Sequence, residues 1–321
     1  MRAIQVSEHG GPEVLRYVEV PDPQVGAGQL LVRTEAAGIN FIDTYIRTGR
    51  YPTPVPYIPG SEGSGVVTAV GPEVTEFSVG DRVAWAAAPG SYAEQVVVPA
   101  AVAIPVPDGV NAATAASALL QGMTAHYLIE SIYKPQPGEA VLVHAGAGGV
   151  GLILTQLLSA RGVRVITTVS TDDKEKLSRD AGASEVLRYD DDIAGRVREL
   201  TGGVGVAAAY DGVGASTFEA SLAATRVRGM VALFGGASGP VPPFDLQRLN
   251  PLGSLFVTRP TLVHYTRDRA ELLWRANDIM NAIADGTLHI RIGGSYALAD
   301  AEQAHRDLEG RKTTGSIVLV P

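Results

Sequence analysis

An apolar run, Val141-Leu142-Val143-His144, leads straight into Ala145-Gly146-Ala147-Gly148-Gly149-Val150-Gly151 and then into a second apolar stretch of helical character. The spacing Gly146-x-Gly148-x-x-Gly151 between a strand and a helix constrains the fold more than any other feature of the chain. The first glycine permits the tight turn. The second lets the backbone approach a pyrophosphate, and the third lets the helix pack on the strand. The helix then offers free N–H groups and the positive end of its dipole to phosphate oxygens. Gly146, Gly148, Gly149, Val150 and Gly151 are therefore expected to cradle a dinucleotide. A glycine-rich turn that binds nothing is the plain alternative.

The surroundings of the loop give it its meaning. Strands expected at Val141–His144, Val163–Val169, Glu185–Leu187, Val206–Tyr210, Met230–Phe234 and Leu255–Val257 alternate with helices at Gly149–Arg161, Asp172–Ala181, Ile193–Leu200 and Ser216–Thr225. Such alternation specifies a parallel sheet covered on both faces. The first hundred residues differ. Short β-rich runs, Arg2–Val6, Gln29–Ala37, Gly65–Val70, Arg82–Trp85 and Tyr92–Val98, are bounded by Gly, Pro and Asp turns, with a short helix expected over Asn40–Thr48. Asn111–Tyr133 predicts one or two helices. Late elements, a helix to Asp285, a strand near Ile290, a helix over Asp300–Leu308 and a strand over Gly315–Val320, are expected to return to the first domain.

Composition removes several kinds of chemistry. The 321 residues contain no cysteine, which excludes disulfides, thiolate nucleophiles, iron–sulfur clusters and cysteine-ligated zinc. A net charge of −8, with no basic run, disfavours nucleic acid and anionic membranes as partners. The most apolar long window, Val141–Leu158, is too short and too broken by glycine for a membrane span. With no targeting segment in view, a cytoplasmic location is expected.

Cofactor choice turns on the end of the second strand. An NAD site usually carries Asp or Glu there, for the ribose 2′-hydroxyl. Here the residues are Val169-Ser170-Thr171, with Lys174 one turn into the next helix. Two hydroxyls and an ammonium suit a 2′-phosphate, so NADPH is expected over NADH. The nearby Asp172 and Asp173 weigh against this. The alternative roles are a helix cap for Ser170 or Thr171 and a solvated surface for Lys174. Phe234-Gly235 ends another strand at the carboxyl edge, where ligands lie in such sheets.

Further segments carry a family resemblance: Ala37-Gly38-Ile39-Asn40-Phe41-Ile42-Asp43-Thr44-Tyr45, Pro59-Gly60-Ser61-Glu62-Gly63, Val79-Gly80-Asp81-Arg82-Val83, Gly90-Ser91-Tyr92-Ala93-Glu94, Tyr210-Asp211-Gly212-Val213-Gly214, Thr258-Arg259-Pro260 and Gly315-Ser316. In this order, over essentially the whole chain, they resemble the medium-chain dehydrogenase/reductase superfamily, and within it the zeta-crystallin-like quinone oxidoreductases. The resemblance implies an α/β fold: a Rossmann doubly wound parallel sheet inserted into a β-rich, GroES-like catalytic domain. Residues 1–122 and 265–321 would form the catalytic domain and 123–264 the NADP-binding domain, with nicotinamide and substrate in the cleft between them.

The resemblance also marks what is missing. Zinc-dependent members place Cys and His where this chain has Ile39 and Ser61, so no metal is expected. It implies a role for Asn40 at the nicotinamide or the substrate oxygen, against plain helix capping. Tyr45 and Tyr51 can each donate a phenolic hydrogen bond to a quinone or enone oxygen, or simply pack. Gln121, Thr124 and Tyr127 share a helix face, which the family places against the nicotinamide end. By the same analogy Tyr189 lies on or near adenine, and Arg311 reaches the 2′-phosphate with a guanidinium fork. Asp43 and Glu62 are taken as anchors rather than catalytic groups.

The expected activity is metal-free transfer of reducing equivalents from NADPH to a quinone. Alternatives are reduction of a conjugated enal or enone, and a non-catalytic, crystallin-like NADPH-binding role. The family forms homo-oligomers through the Rossmann domain, so a homodimer or higher assembly is expected, with apolar Met230–Phe234 and the edge near Leu255–Val257 available for pairing.

Overall fold

A computed structural model describes residues 1–321. The chain forms two compact units, Met1–Met123 with Arg267–Pro321, and Thr124–Thr266.

The first unit opens with β1 (Arg2–Gln5) and β2 (Arg16–Glu19), an antiparallel ribbon. Then come β3 (Gln29–Ile39), helix α1 (Phe41–Arg47), β4 (Glu62–Val70), β5 (Arg82–Trp85), β6 (Gln95–Pro99), β7 (Ile104–Pro105) and helix α2 (Ala112–Tyr127). Strand β3 is the spine: β4 and β6 both pair with it antiparallel. Alternate β3 residues Leu30, Val32 and Ala36 are buried, as the two-residue period of a half-buried strand requires. Leu30 and Val32 close a core with Val67, Val83 and Trp85.

The second unit contains β8 (Ala140–Val143), α3 (Gly149–Ser159), β9 (Arg164–Val169), α4 (Asp172–Asp180), β10 (Glu185–Arg188), α5 (Ile193–Leu200), β11 (Val206–Asp211), α6 (Phe218–Ala224), β12 (Thr225–Leu233) and β13 (Phe256–Thr258). All strand pairs are parallel, in the order β10-β9-β8-β11-β12-β13. The order reverses between β8 and β11. In such sheets this switch point is where ligands bind, outside the carboxyl ends of the strands. The expected fold class is therefore present: a doubly wound parallel sheet and a separate β-rich unit.

The chain then returns through α7 (Arg269–Ala284), β14 (Ile292–Ala297), α8 (Ala301–Glu309) and β15 (Ser316–Val320). Strand β15 pairs antiparallel with β3, Ile317 opposite Ile39 and Val318 opposite Gly38. The C-terminal segment thus completes the first unit's sheet.

Some elements differ from expectation. Strands β2 and β7 lie in stretches too short and too polar or proline-rich for a period-two pattern to show. Strand β12 begins at Thr225, five residues before the expected Met230. Its first half is partly exposed Thr-Arg-Val-Arg with Arg228 at φ +56°, and the pairing register shifts there. Asn111–Tyr133 is one α-helix that ends in a wider turn over Leu128–Ile132.

Candidate active site

The phosphate cradle sits between β8 and α3. Gly148 is the N-cap of α3 in extended conformation, with no side chain to bond the first-turn N–H groups. The glycines are required for different reasons. A Cβ on Gly151 would stand 2.2 Å from the Ala145 carbonyl oxygen, and one on Gly146 2.5 Å from Thr167 Cβ. A Cβ on Gly148 would meet the Ala145 oxygen at 3.2 Å and the Ala145 Cβ at 4.0 Å, a tight contact that a shift of a few tenths of an ångström relieves. Packing therefore dictates Gly146 and Gly151, whereas Gly148 leaves the helix N-terminus uncovered. The donor set and the bare end of α3 fit a dinucleotide pyrophosphate.

The left-handed residue of the turn is Ala145, at φ +56°. An alanine in that conformation needs support from its surroundings. The Tyr189 hydroxyl supplies it by accepting a 2.9 Å hydrogen bond from the Ala145 N–H. Tyr189 thus holds the loop through its oxygen, while its ring lies nearly parallel to that of His144.

Behind the loop lies a polar cluster that sequence reasoning missed. Asp211, fully buried at the end of β11, accepts from the Val213 and Gly214 N–H groups and from the Thr217 and Ser221 hydroxyls. Because Ser221 donates to Asp211, it must accept from His144 Nε2, 3.1 Å away. His144 Nδ1 then accepts from the Thr168 hydroxyl at 2.9 Å. Burial lowers the His144 pKa, against the opposing field of Asp211. The imidazole is a neutral strut under the loop.

Beyond β9, the Lys174 ammonium lies 3.4 Å from Ser170 Oγ. The Thr171 hydroxyl caps α4 by accepting from the Lys174 N–H. Ser170 and Lys174 therefore converge at one point on the surface. Asp172, the acid expected to oppose a phosphate, is ion-paired with Arg188, which also holds Glu175. Phe234 and Gly235 follow β12. The Phe234 N–H donates to the Asp211 carbonyl, and Gly235 lies so close to Gly212 that a Cβ would be 2.3 Å from its oxygen. Thr124 is buried, and the buried Tyr127 ring stacks on Tyr265 at 4.5 Å. Arg311 belongs to the first unit, exposed at φ +57° just past α8.

The first unit holds the second group of expected residues. Asn40 caps α1, and its backbone N–H donates to Asp43 Oδ2 at 2.8 Å. Its side-chain amide is gripped at both ends. Nδ2 donates to Glu62 Oε2 at 2.8 Å, and Oδ1 accepts from Gln121 Nε2 at 3.1 Å. Gln121 Oε1 in turn accepts from the Ser316 hydroxyl at 2.7 Å. This leaves Asn40 one N–H and one lone pair in fixed directions. Gly38 makes the assembly possible, because a Cβ there would stand 2.3 Å from the Ala116 carbonyl of α2 and 2.6 Å from the Glu62 carboxylate.

Both buried carboxyls have raised pKa values. Loss of solvent pushes Glu62 up to about 8, against hydrogen bonds from Asn40 and the Leu120 N–H. Loss of solvent likewise pushes Asp43 up to about 6, against bonds from Asn40 and Tyr92. Asp43 anchors backbone, as expected of it. Glu62 does more, since it grips the side chain of a candidate site residue. Tyr45 and Tyr51 meet edge to face at 5.6 Å, with the Arg50 guanidinium over the Tyr45 ring.

The residues present do not fit zinc. Ile39 is apolar and buried, Glu62 is committed to Asn40 and Leu120, and no three His, Cys, Asp or Glu side chains are grouped to hold an ion. No helix is long and apolar enough to cross a membrane.

Two outcomes follow from this geometry. Tyr189→Phe keeps the ring but leaves the Ala145 N–H without its acceptor. It should weaken NADPH and NADH binding by the same factor in fluorescence titration. A contact made by the ring to adenine would leave both unchanged. For Glu62, the folded chain keeps a proton that the unfolded chain loses, so stability falls as pH rises from about 4.5 to about 8. Denaturant midpoints of Glu62→Gln should fall less across that window than those of the parent protein.

Two sequence families match: the alcohol dehydrogenase GroES-like domain over residues 26–108 and the zinc-binding dehydrogenase over residues 149–274. The second carries a metal in its name that the donor set above does not accommodate. A quinone oxidoreductase of Pseudomonas aeruginosa is 45% identical, covering 100% of this chain and 99% of that protein. A 2-haloacrylate reductase of a Burkholderia species is 40% identical, covering 99% and 98%. A mycobacterial protein solved in complex with NADPH is 59% identical, with a TM-score of 0.98 over the whole of both chains. With the glycine cradle, the parallel sheet and this full-length likeness together, the chain belongs to the quinone oxidoreductase family of the medium-chain dehydrogenase/reductase superfamily.

Proposed function

We propose that this protein is an NADPH-dependent quinone reductase that works without a metal ion. The observation that carries the cofactor half is the uncovered N-terminus of α3 at Gly148, where packing constrains a side chain far less than at Gly146 or Gly151. Gly148, Gly149, Val150 and Gly151 would hold the pyrophosphate through backbone N–H groups. Ser170 and Lys174 would hold the 2′-phosphate, with Arg311 as a further candidate and Thr171 acting as the cap beneath them. Gln121, Thr124, Phe234 and Gly235 are proposed to border the cofactor, and Tyr127 to support it from within the core.

Bound NADPH supplies the reducing equivalents. The protein's own residues bind and orient. The Asn40 amide presents one donor and one acceptor in fixed directions, which suits a carboxamide or a substrate oxygen. The Tyr45 and Tyr51 phenols can donate to a quinone oxygen as it gains charge. A quinone needs only that stabilisation. An alcohol needs its hydroxyl deprotonated, and Ile39 and Ser61 provide no ligands for the Lewis acid that zinc relatives use.

Reduction of a conjugated carbonyl is the second reading, supported by the likeness to a 2-haloacrylate reductase. We also propose a homodimer formed along β13, whose Phe256 and Val257 are exposed at the open edge of the sheet, and a cytoplasmic location.

Steady-state NADPH oxidation against ortho- and para-quinones, conjugated enals and simple alcohols tests the assignment. Quinone turnover that survives chelation is expected. Alcohol oxidation with no quinone activity would overturn it. Lys174→Ala should weaken NADPH about tenfold to a hundredfold, the effect of about 1.5–3 kcal/mol for a charge-assisted bond, and leave NADH unchanged. Equal losses for both cofactors would remove Lys174 from the 2′-phosphate.

A further inference from the structure

We propose that Glu62 is a positioning residue: it sets the direction of the hydrogen-bond chain Ser316–Gln121–Asn40 and thereby decides which end of the Asn40 amide faces the ligand. This rests on the proposed contact of Asn40 with cofactor or substrate, and adds the device that orients it.

The chain has a fixed end. The Leu120 N–H of α2 donates to Glu62 Oε1 at 2.8 Å, and a backbone donor cannot reverse. Only Oε2 faces Asn40. In the ionised form, which prevails above about pH 8, that oxygen accepts, so Asn40 must offer Nδ2. Asn40 Oδ1 is then left for Gln121 Nε2, and Gln121 Oε1 for the Ser316 hydroxyl. Each link leaves the next a single orientation.

A donor at Oε2 reverses every link. Glutamine at 62 must give its oxygen to Leu120 and turn its NH2 toward Asn40. Asn40 then presents Oδ1, Gln121 presents its oxygen to Asn40 Nδ2, and Gln121 Nε2 points at Ser316. The serine hydroxyl can accept this bond and turn its own hydrogen to the Ser117 carbonyl, 3.5 Å away. The reversed chain is fully satisfied, so the substitution inverts the site without emptying it. A protonated Glu62 presents the same donor. The charged group whose field reaches Glu62 is Asp43 on α1. Gly38 of β3, Leu120 and Gln121 of α2 and Ser316 of β15, which surround the chain, do not titrate.

The test combines side-chain amide NMR on the full-length protein with a double-mutant cycle. Asn40 and Gln121 amide resonances are assigned by their loss in Asn40→Ala and Gln121→Leu. At pH 9, where Glu62 of the parent protein is ionised, both resonances should shift in Glu62→Gln and kcat/KM for quinone should fall about tenfold or more, as expected for misdirected contacts. In an Asn40→Ala background Glu62→Gln should have no further effect on kcat/KM or on NADPH affinity. Between pH 7 and pH 9, above the Asp43 titration near 6, the Asn40 resonance of the parent protein should move with pH, and in Glu62→Gln it should not. This pH series on the parent protein needs no variant to fold. Unshifted, pH-independent resonances would overturn the proposal, as would losses that multiply in the double variant. If Asn40→Ala itself leaves kcat/KM and NADPH affinity unchanged, the ligand contact of Asn40 is wrong, while the resonances still decide the direction of the chain.

Discussion

Helix α3 can begin where it does because nothing larger than a hydrogen atom stands at Gly151. The Ala145 carbonyl occupies the space a side chain would need. That close approach fixes the turn, and the turn fixes the first N–H groups of the helix at the carboxyl edge of the parallel sheet. The cost is an alanine in a left-handed conformation, offset by the Tyr189 hydroxyl on its N–H. The neutral His144 and the buried Asp211 then brace the loop and the neighbouring β11 turn from below. The cradle is thus held by close packing and by hydrogen bonds within the protein.

The first unit shows the same economy in another form. Burying a carboxylate is unfavourable unless its oxygens are bonded. Glu62 has a backbone donor on one oxygen and an amide on the other, and Asp43 has a backbone donor and the Tyr92 phenol. His305 extends this second cluster. Its Nε2 donates to Tyr92 and its Nδ1 accepts from the buried Arg47, and burial with the adjacent guanidinium lowers its pKa to about 3. Arg47 reaches on to Glu309. Helix α1, which carries Asn40, Tyr45 and Arg47, is tied into this unit by polar contacts at both ends.

Much of this was legible in the sequence. The alternation of apolar strands and helices after Val141 specified the parallel sheet, and the glycine spacing placed the cradle. Ser170 and Lys174 stand out as candidates because the usual acid is missing from their strand end. What escaped were long-range partnerships. The link from Tyr189 to Ala145 spans 44 residues and that from Glu62 to Leu120 spans 58, and no periodic pattern records such pairs. Glu62 was visible in the segment Pro59–Gly63 yet gave no sign of its partner. The left-handed angle of Ala145 also escapes the sequence, because spacing shows where glycines are and not which backbone angle each residue adopts.

The central claim is that the glycines divide their work, with Gly146 and Gly151 serving packing and Gly148 serving the ligand. Thermal unfolding and NADPH titration of Gly148→Ala test it together. A Tm within a few degrees of the parent, with NADPH affinity lowered at least tenfold, is the predicted result; a methyl group would then cover donors without disturbing the fold. Undiminished NADPH affinity in Gly148→Ala would contradict the account and move the pyrophosphate away from the start of α3.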